Sequence, residues 1–364
     1  MKKLAIIGVA GYPSRSGGFD SFVNDLLEYN SIEKKLLVSV YVETSLKESH
    51  VTLDDQIEII QLHRRAGIFG LLLHRTRAFL HARKSGVNNI YILGYVCFPV
   101  IFGIGKRRSL LITNMDGLEW KRSEYSLIKR LYLRLAEYCA VKKSDVLVSD
   151  SIGIQSYIKD KFAMVSTFIP YAVKNSGSIL PLEAERILSK YSVAPKKFFL
   201  IVGRCVIENH ILEIVSGFIA SKSNKQMIIA TDRRKNELRQ SLKKMIKSDP
   251  RIVYMDPIYD ELELSTLRQN CFAYIHGHSV GGTNPSLLES LTARRPIIAH
   301  RNIFNSEVLT DTAVYFESKE DIEKILNSEE MLQLTNEMIE KRQHLASHRY
   351  DIKKVYNSLF NLLR

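Results

Sequence analysis

The chain has 364 residues, of which 45% are hydrophobic and 25% charged. That balance excludes a disordered, collagen-like or low-complexity protein, and at roughly 150 residues per domain the length favours two domains. Lys and Arg (52) exceed Asp and Glu (39), so the net charge of +13 favours anionic partners: nucleic acid, acidic lipid or phosphorylated small molecules.

Cys97, Cys139, Cys205 and Cys271 stand far apart and form no Cys-x-x-Cys pair. A zinc site or disulfide framework is therefore not indicated, and four buried free thiols in a reducing cytosol are expected. Two lysines precede an apolar run at the N-terminus, but that run ends at Ala10 and no small-residue cleavage site follows. It reads as a buried first strand rather than a secretory signal. No stretch reaches the ~18 to 20 apolar residues of a membrane-spanning helix.

Apolar runs at 4–9, 36–42, 57–62, 89–95, 110–115 and 146–150 are short, rich in Val, Ile and Tyr, and not strictly alternating. These are the marks of strands buried on both faces of a parallel sheet. Between them lie segments of helical period, such as Phe19, Phe22, Val23, Leu26 and Leu27, which form one stripe of a helix packed on that sheet. A cluster of Pro, Gly and small polar residues at 169–181 reads as a linker. A second βα series then runs through 198–204, 227–231, 251–255, 272–278, 296–300 and 313–316, and the amphipathic segment 349–364 ends the chain.

The expected fold is α/β: two tandem Rossmann-like domains facing across a cleft. They span 1–172 and 173–345, and a helix within 346–364 is expected to pack back on the first domain. Open parallel sheets bind ligands beyond the carboxyl ends of their strands, where strand order reverses.

Three loops carry chemistry. In GYPSRSGGFDSF (11–22) the glycine spacing is too long for the dinucleotide fingerprint, so tight NAD binding is disfavoured. Gly17 and Gly18 still leave the first turn of a helix open to a phosphate or sugar. In YIHGHSVGGTNPSLLES (274–290), Asn284 is a good N-cap and Pro285 suits the first helical position. The side-chain-poor Gly281, Gly282 and Thr283 offer backbone N–H groups to a diphosphate, and Glu289, about a turn further in, offers a carboxylate to ribose hydroxyls. In VGRCVIENH (202–210), Arg204 projects from a strand end, placed to neutralise a departing pyrophosphate.

Together these residues resemble the nucleotide-binding domain of retaining glycosyltransferases of family 4, which have the two-domain GT-B fold. Gly203, Arg204, Glu208 and Glu289 match that family's pattern. Asn209 stands where a lysine is expected and Gly281 where a first glutamate is expected. The same departures, with SGGFDSF (16–22) and DGLEWKR (116–122), are similar to a subgroup that includes bacterial capsule and O-antigen rhamnosyltransferases.

The resemblance implies an N-terminal acceptor domain and a C-terminal nucleotide-sugar domain. The donor it implies is dTDP-rhamnose and the acceptor a polyprenyl-pyrophosphate-linked saccharide; the alternatives are a UDP-sugar transferase or a nucleotide-sugar epimerase of the same fold. Arg204 would meet the pyrophosphate, Glu289 the ribose, and Gly281 to Asn284 the phosphates. Gly17, Gly18, Glu208, Asn209 and His278 complete the donor set, with His276 a further candidate beside the sugar. Asp116 would orient the acceptor hydroxyl, and Glu119, Trp120, Lys121 and Arg122 would line the acceptor side. No metal and no other cofactor is required, because the cationic and amide contacts serve the diphosphate.

Segment 67–84 joins Ile68, Phe69, Leu71 to Leu73, Phe79 and Leu80 to His74, Arg75, Arg77, His81, Arg83 and Lys84. A basic amphipathic helix of this kind suits an anionic bilayer surface, so the expected location is cytoplasmic, peripheral on the inner membrane. A non-catalytic binder of anionic polymer is the rival reading. It accounts for the charge but not for the glycine loops, and no nucleic-acid-binding motif is present.

Overall fold

The computed structural model describes residues 1–13, 17–104, 109–115, 117–174, 177, 179–233 and 236–364. They divide into two compact units, Met1–Ala172 with Ile352–Arg364, and Val173–Asp351.

In the first unit the chain runs β1 (Lys2–Ile7), α1 (Gly18–Glu33), β2 (Leu36–Thr44), β3 (Ser49–Asp54), β4 (Ile57–His63), α2 (Gly67–Lys84) and β5 (Asn89–Leu93). It continues through α3 (Phe98–Ile101), β6 (Leu110–Asn114), α4 (Leu127–Lys143), β7 (Val146–Ser149), α5 (Ile152–Phe162) and β8 (Thr167–Phe168). Among the described residues these strands form an eight-stranded sheet in the order β3-β4-β2-β1-β5-β6-β7-β8. Every pairing is parallel except β3 with β4. Strand order reverses between β1 and β5. Right-handed crossovers then put α1 on one face and α2 to α5 on the other.

The second unit runs α6 (Pro181–Lys190), β9 (Phe198–Val202), α7 (Ile211–Ala220), β10 (Gln226–Ala230), α8 (Glu237–Ile246), β11 (Ile252–Met255) and α9 (Glu261–Asn270). There follow β12 (Ala273–His276), α10 (Pro285–Leu291), β13 (Ile297–His300), α11 (Ile303–Leu309), β14 (Val314–Phe316), α12 (Lys319–Asn327) and α13 (Asn336–His348). Its described strands make a parallel sheet of six in the order β11-β10-β9-β12-β13-β14. Here the reversal falls between β9 and β12. Alternation along β12 sorts its side chains. Ala273 and Ile275 join the core built from Phe199, Ile214, Phe218 and Ile322, while Tyr274 and His276 turn to the face crossed by α9 and α10.

The final helix, α14 (Ile352–Leu362), belongs to the first unit. Tyr356 is fully buried, its ring lies on Phe22 and Tyr29, and its hydroxyl donates to the Phe22 carbonyl at 3.0 Å. Lys2 Nζ donates to the Leu363 carbonyl at 2.6 Å, and Asn89 Oδ1 accepts from the Arg364 amide at 2.8 Å. Residues Arg349 to Asp351, which the helical period includes, lie before the helix, and the Tyr350 carbonyl accepts from Val173 N at 2.8 Å. All four cysteines are buried and free.

Two strands have no counterpart in the apolar runs. All six residues of β3 are exposed, and the strand pairs antiparallel on the sheet edge, where no buried face imposes an apolar pattern. The other, β8, is two residues long.

Candidate functional site

At the carboxyl ends of β9 and β12 the sequence motifs of the second unit come together. Gly203 and Arg204 follow β9, a 3-10 turn spans Ile207–Asn209, and Gly277 to Ser279 follow β12. Backbone fits against backbone here: a Cβ on Gly277 would lie 2.0 Å from the Asn209 carbonyl oxygen. Side chains complete the seam. Asn209 Nδ2 donates to the Arg204 carbonyl at 2.7 Å, which leaves Oδ1 as acceptor for the Nδ1–H of His278 at 2.7 Å. Ser279 N donates to the Glu208 carbonyl at 2.8 Å, and Ser279 Oγ lies 3.0 Å from His210 Nε2. Asn209, at the position where the family pattern has lysine, is thus the clasp between the two strand ends.

Arg204 is exposed at the end of β9, whereas Glu208 is buried within the turn. Gly281 has φ +122° and its Cβ would lie 3.2 Å from His278 Nε2, so this imidazole nitrogen faces the glycine loop. Gly281, Gly282 and Thr283 are buried and Asn284 is half-buried. Asn284 Oδ1 accepts from Ser286 N at 2.9 Å and Pro285 opens α10, as the cap pattern predicts.

Glu289 is not simply solvated. Its carboxylate pairs at 2.5 Å with Nη2 of Arg268, a residue of α9 with only 6% of its side chain exposed. The same Nη2 donates to Ser286 Oγ at 3.1 Å, and Ser286 Oγ lies 2.8 Å from Tyr274 Oη. A buried guanidinium therefore fixes the carboxylate that the sequence assigns to a ribose. Sequence reading missed Arg268, because an arginine near the end of an amphipathic helix looks like any favourable partner of the helix dipole.

His276 lies on the same face, buried, with Nε2 lacking a hydrogen-bond partner among the described residues. Burial, then the neighbouring His278, Arg268 and His300, hold its pKa well below the ordinary value. His300, half-buried and stacked on His210 at 4.1 Å, is also shifted down, chiefly by burial. Both are neutral in the folded state near pH 7. Groups that resist protonation in the fold add stability above their unfolded value of about 6.5, and that stability is lost as pH falls from there toward the folded values. Thermal unfolding followed from pH 7.5 down to 5.5 should show a falling midpoint, with a shallower fall in His276→Gln. An identical slope in the variant would remove His276 from this account.

In the first unit, Gly17 and Gly18 open α1. Gly17 has φ +108°, and a Cβ on Gly18 would lie 2.7 Å from Tyr171 Oη, so each position requires glycine for a different reason. Asp20, in the first turn, accepts from Ala10 N at 3.0 Å.

Of the DGLEWKR segment, Asp116 lies outside the described residues. Glu119 and Arg122 pair within one turn at 2.7 Å. Trp120 is half-buried, donates from Nε1 to Glu137 at 3.2 Å, and has the cations of Arg134, Lys161 and Lys121 at 4.3, 5.3 and 5.6 Å from its ring. The tryptophan buttresses its loop on α4, and Lys121 is exposed beside it.

Of the basic residues expected on the face of α2, His74 and Arg75 turn into the unit, whereas Arg77, His81 and Lys84 are exposed. His74 is buried with Nε2 3.2 Å from the Val42 carbonyl, and Arg75 donates to the Leu93 and Gly8 carbonyls at 3.2 and 3.4 Å. Arg77 pairs with Glu48 at 2.8 Å, and His81 Nδ1 lies 2.9 Å from Tyr41 Oη.

A family model described as a domain of unknown function (DUF1972) matches residues 1–174. No curated protein matches the chain in sequence. Solved structures match it over its whole length. Sucrose-phosphate synthase of Thermosynechococcus elongatus is 15% identical with a TM-score of 0.79, covering 100% of this chain and 98% of that one. HepE of Anabaena in complex with UDP and glucose is 15% identical with a TM-score of 0.76, covering 100% and 99%. A trehalose-6-phosphate protein of E. coli bound with UDP-2-fluoro glucose is 9% identical with a TM-score of 0.71, covering 99% and 98%. The fold is GT-B, with two Rossmann-like domains.

Proposed function

We propose that the protein is a glycosyltransferase that takes its sugar from a nucleoside-diphosphate donor. The observation that carries this reading is the seam at the β9 and β12 ends, where Arg204, the Gly281–Asn284 loop and the Arg268-held Glu289 belong to one unit at its point of strand reversal. Structures of the same fold with UDP and UDP-glucose bound support a nucleotide-sugar partner.

In this reading Arg204 and the loop amides stabilise charge on the departing diphosphate. The bond from the sugar's anomeric carbon to the phosphate oxygen breaks as the bond to the acceptor oxygen forms. The acceptor's proton passes to the leaving phosphate oxygen on the same face, giving retention and requiring no metal. Glu289 receives the ribose hydroxyls, and Asp116 with Glu119, Trp120, Lys121 and Arg122 serves the acceptor.

From the sequence resemblance we further propose L-rhamnose from dTDP-rhamnose as the donor sugar. The acceptor is a polyprenyl-pyrophosphate-linked saccharide for O-antigen or capsule synthesis, met at the cytoplasmic face of the inner membrane. The UDP complexes of same-fold neighbours favour a second donor reading, a UDP-sugar. Thermal shift against a panel of dTDP-rhamnose and UDP-sugars, followed by transfer to synthetic lipid-pyrophosphate saccharides, tests both. Conversion of a donor without acceptor would mean an epimerase, and absence of saturable nucleotide-sugar binding would overturn the reading.

A further inference from the structure

The exposed face of α4 is the wrong way round for a surface helix. Its solvent-facing residues are Leu127, Ile128, Leu131, Arg134, Leu135, Tyr138 and Lys142. At 100° per residue they fall within an arc of about 120°. The five apolar members are between 49% and 82% exposed. The opposite face, with Leu133, Ala136, Cys139, Ala140 and Val141, is buried against the unit.

The stripe extends beyond the helix. α3 packs against both α4 and α2. Val100 and Phe102, at and just beyond its end, are also exposed. Buried Lys143 donates to the Phe102 and Ile104 carbonyls, which ties Phe102 to the last turn of α4. Farther along the same sheet face, Phe69 and Leu73 of α2 are exposed as well.

We infer that the exposed stripe of α4, with the adjoining end of α3, is a docking surface for an anionic lipid bilayer. Charge selects this occupant. Arg134 and Lys142 lie on the stripe and exposed Lys121 lies near Trp120 beside it. The sole acid of the helix, Glu137, is buried and accepts from Trp120, Tyr157 and Lys161. A second copy docked on this stripe by two-fold symmetry would set cations against cations with no stripe acid to pair them. Anionic headgroups neutralise those cations while the leucines enter the headgroup and acyl boundary. No helix among the described residues is long and apolar enough to cross a membrane, so the contact is one of lying on the surface. The surface belongs to the first unit and the proposed donor residues to the second.

The test is co-sedimentation of the full chain with vesicles of phosphatidylcholine, alone or with about a quarter phosphatidylglycerol. Binding is expected only to the anionic vesicles and should weaken with salt. The double variant Leu131→Ser with Leu135→Ser should lose roughly tenfold or more in partitioning, with unchanged circular dichroism and melting temperature because both side chains already face solvent. Arg134→Gln with Lys142→Gln should lower binding to anionic vesicles. Wild-type protein that stays in the supernatant overturns the proposal, as does a serine variant that binds undiminished. Light scattering that shows a wild-type dimer dissolved by the serine substitutions would assign the face to a second copy instead. Donor binding, measured separately, is expected to be the same in wild type and the serine variant, so failure of either reading leaves the other readable.

Discussion

Arg204→Ala is expected to lower turnover roughly a hundredfold or more, the usual loss when one preorganised contact to developing negative charge is removed. Stability should change by less than about 1 kcal/mol, because the side chain is exposed. Steady-state rates with a saturating donor, beside the melting temperature, separate the two effects. Arg204→Lys should recover only part of the loss, since a lysine supplies the charge without the planar fork. Turnover near that of the wild type in Arg204→Ala would refute the role given to this residue.

Gly277→Ala is expected to act on the fold and on donor binding together. Its added methyl would meet the Asn209 carbonyl oxygen at 2.0 Å and Ile214 Cδ1 at 2.9 Å, and a backbone oxygen cannot rotate aside as a side chain does. Overpacking together with stretched bonds from Asn209 to His278 and from Ser279 to Glu208 should cost about 3 kcal/mol, or roughly 6 to 12 °C in the midpoint of a unit this size. Two controls calibrate the effect. Gly203→Ala meets the Asn209 amide only at 3.2 Å, a contact relieved by a shift of a few tenths of an ångström, and Gly103→Ala meets nothing within 4 Å, so the first should cost less than Gly277→Ala and the second nearly nothing. A Gly277→Ala protein that melts and binds nucleotide like the wild type would break the account of the seam.

The signal that marks α10 is local, which is why it was legible in the chain. A cap side chain bonds its own helix, so Asn284 and Pro285 identify the helix start without knowledge of anything else. The clasp by Asn209 is not local. It depends on two residues 69 apart in the chain, each following a neighbouring strand, lying side by side, and the same residue read alone is only a departure from a family pattern. Arg268 is hidden for the same reason. Its partner Glu289 lies on the next helix, and only packing on the Tyr274 face brings the two within 2.5 Å.

The sequence by itself determined the alternation of strands and helices, the two α/β halves and the glycine loops at strand ends, because these follow from hydrophobic period and backbone conformation, which act over a few residues. Tertiary structure alone decided which way amphipathic helices face. On α2, Arg75, taken for part of a basic surface, turns inward to two carbonyls, and Arg77 pairs with Glu48. On α4 the broader apolar stripe, which periodicity would send to the core, faces solvent, while the small Ala136, Cys139 and Ala140 lie against the unit. Period gives the faces of a helix, but the surface it meets selects the one that is buried.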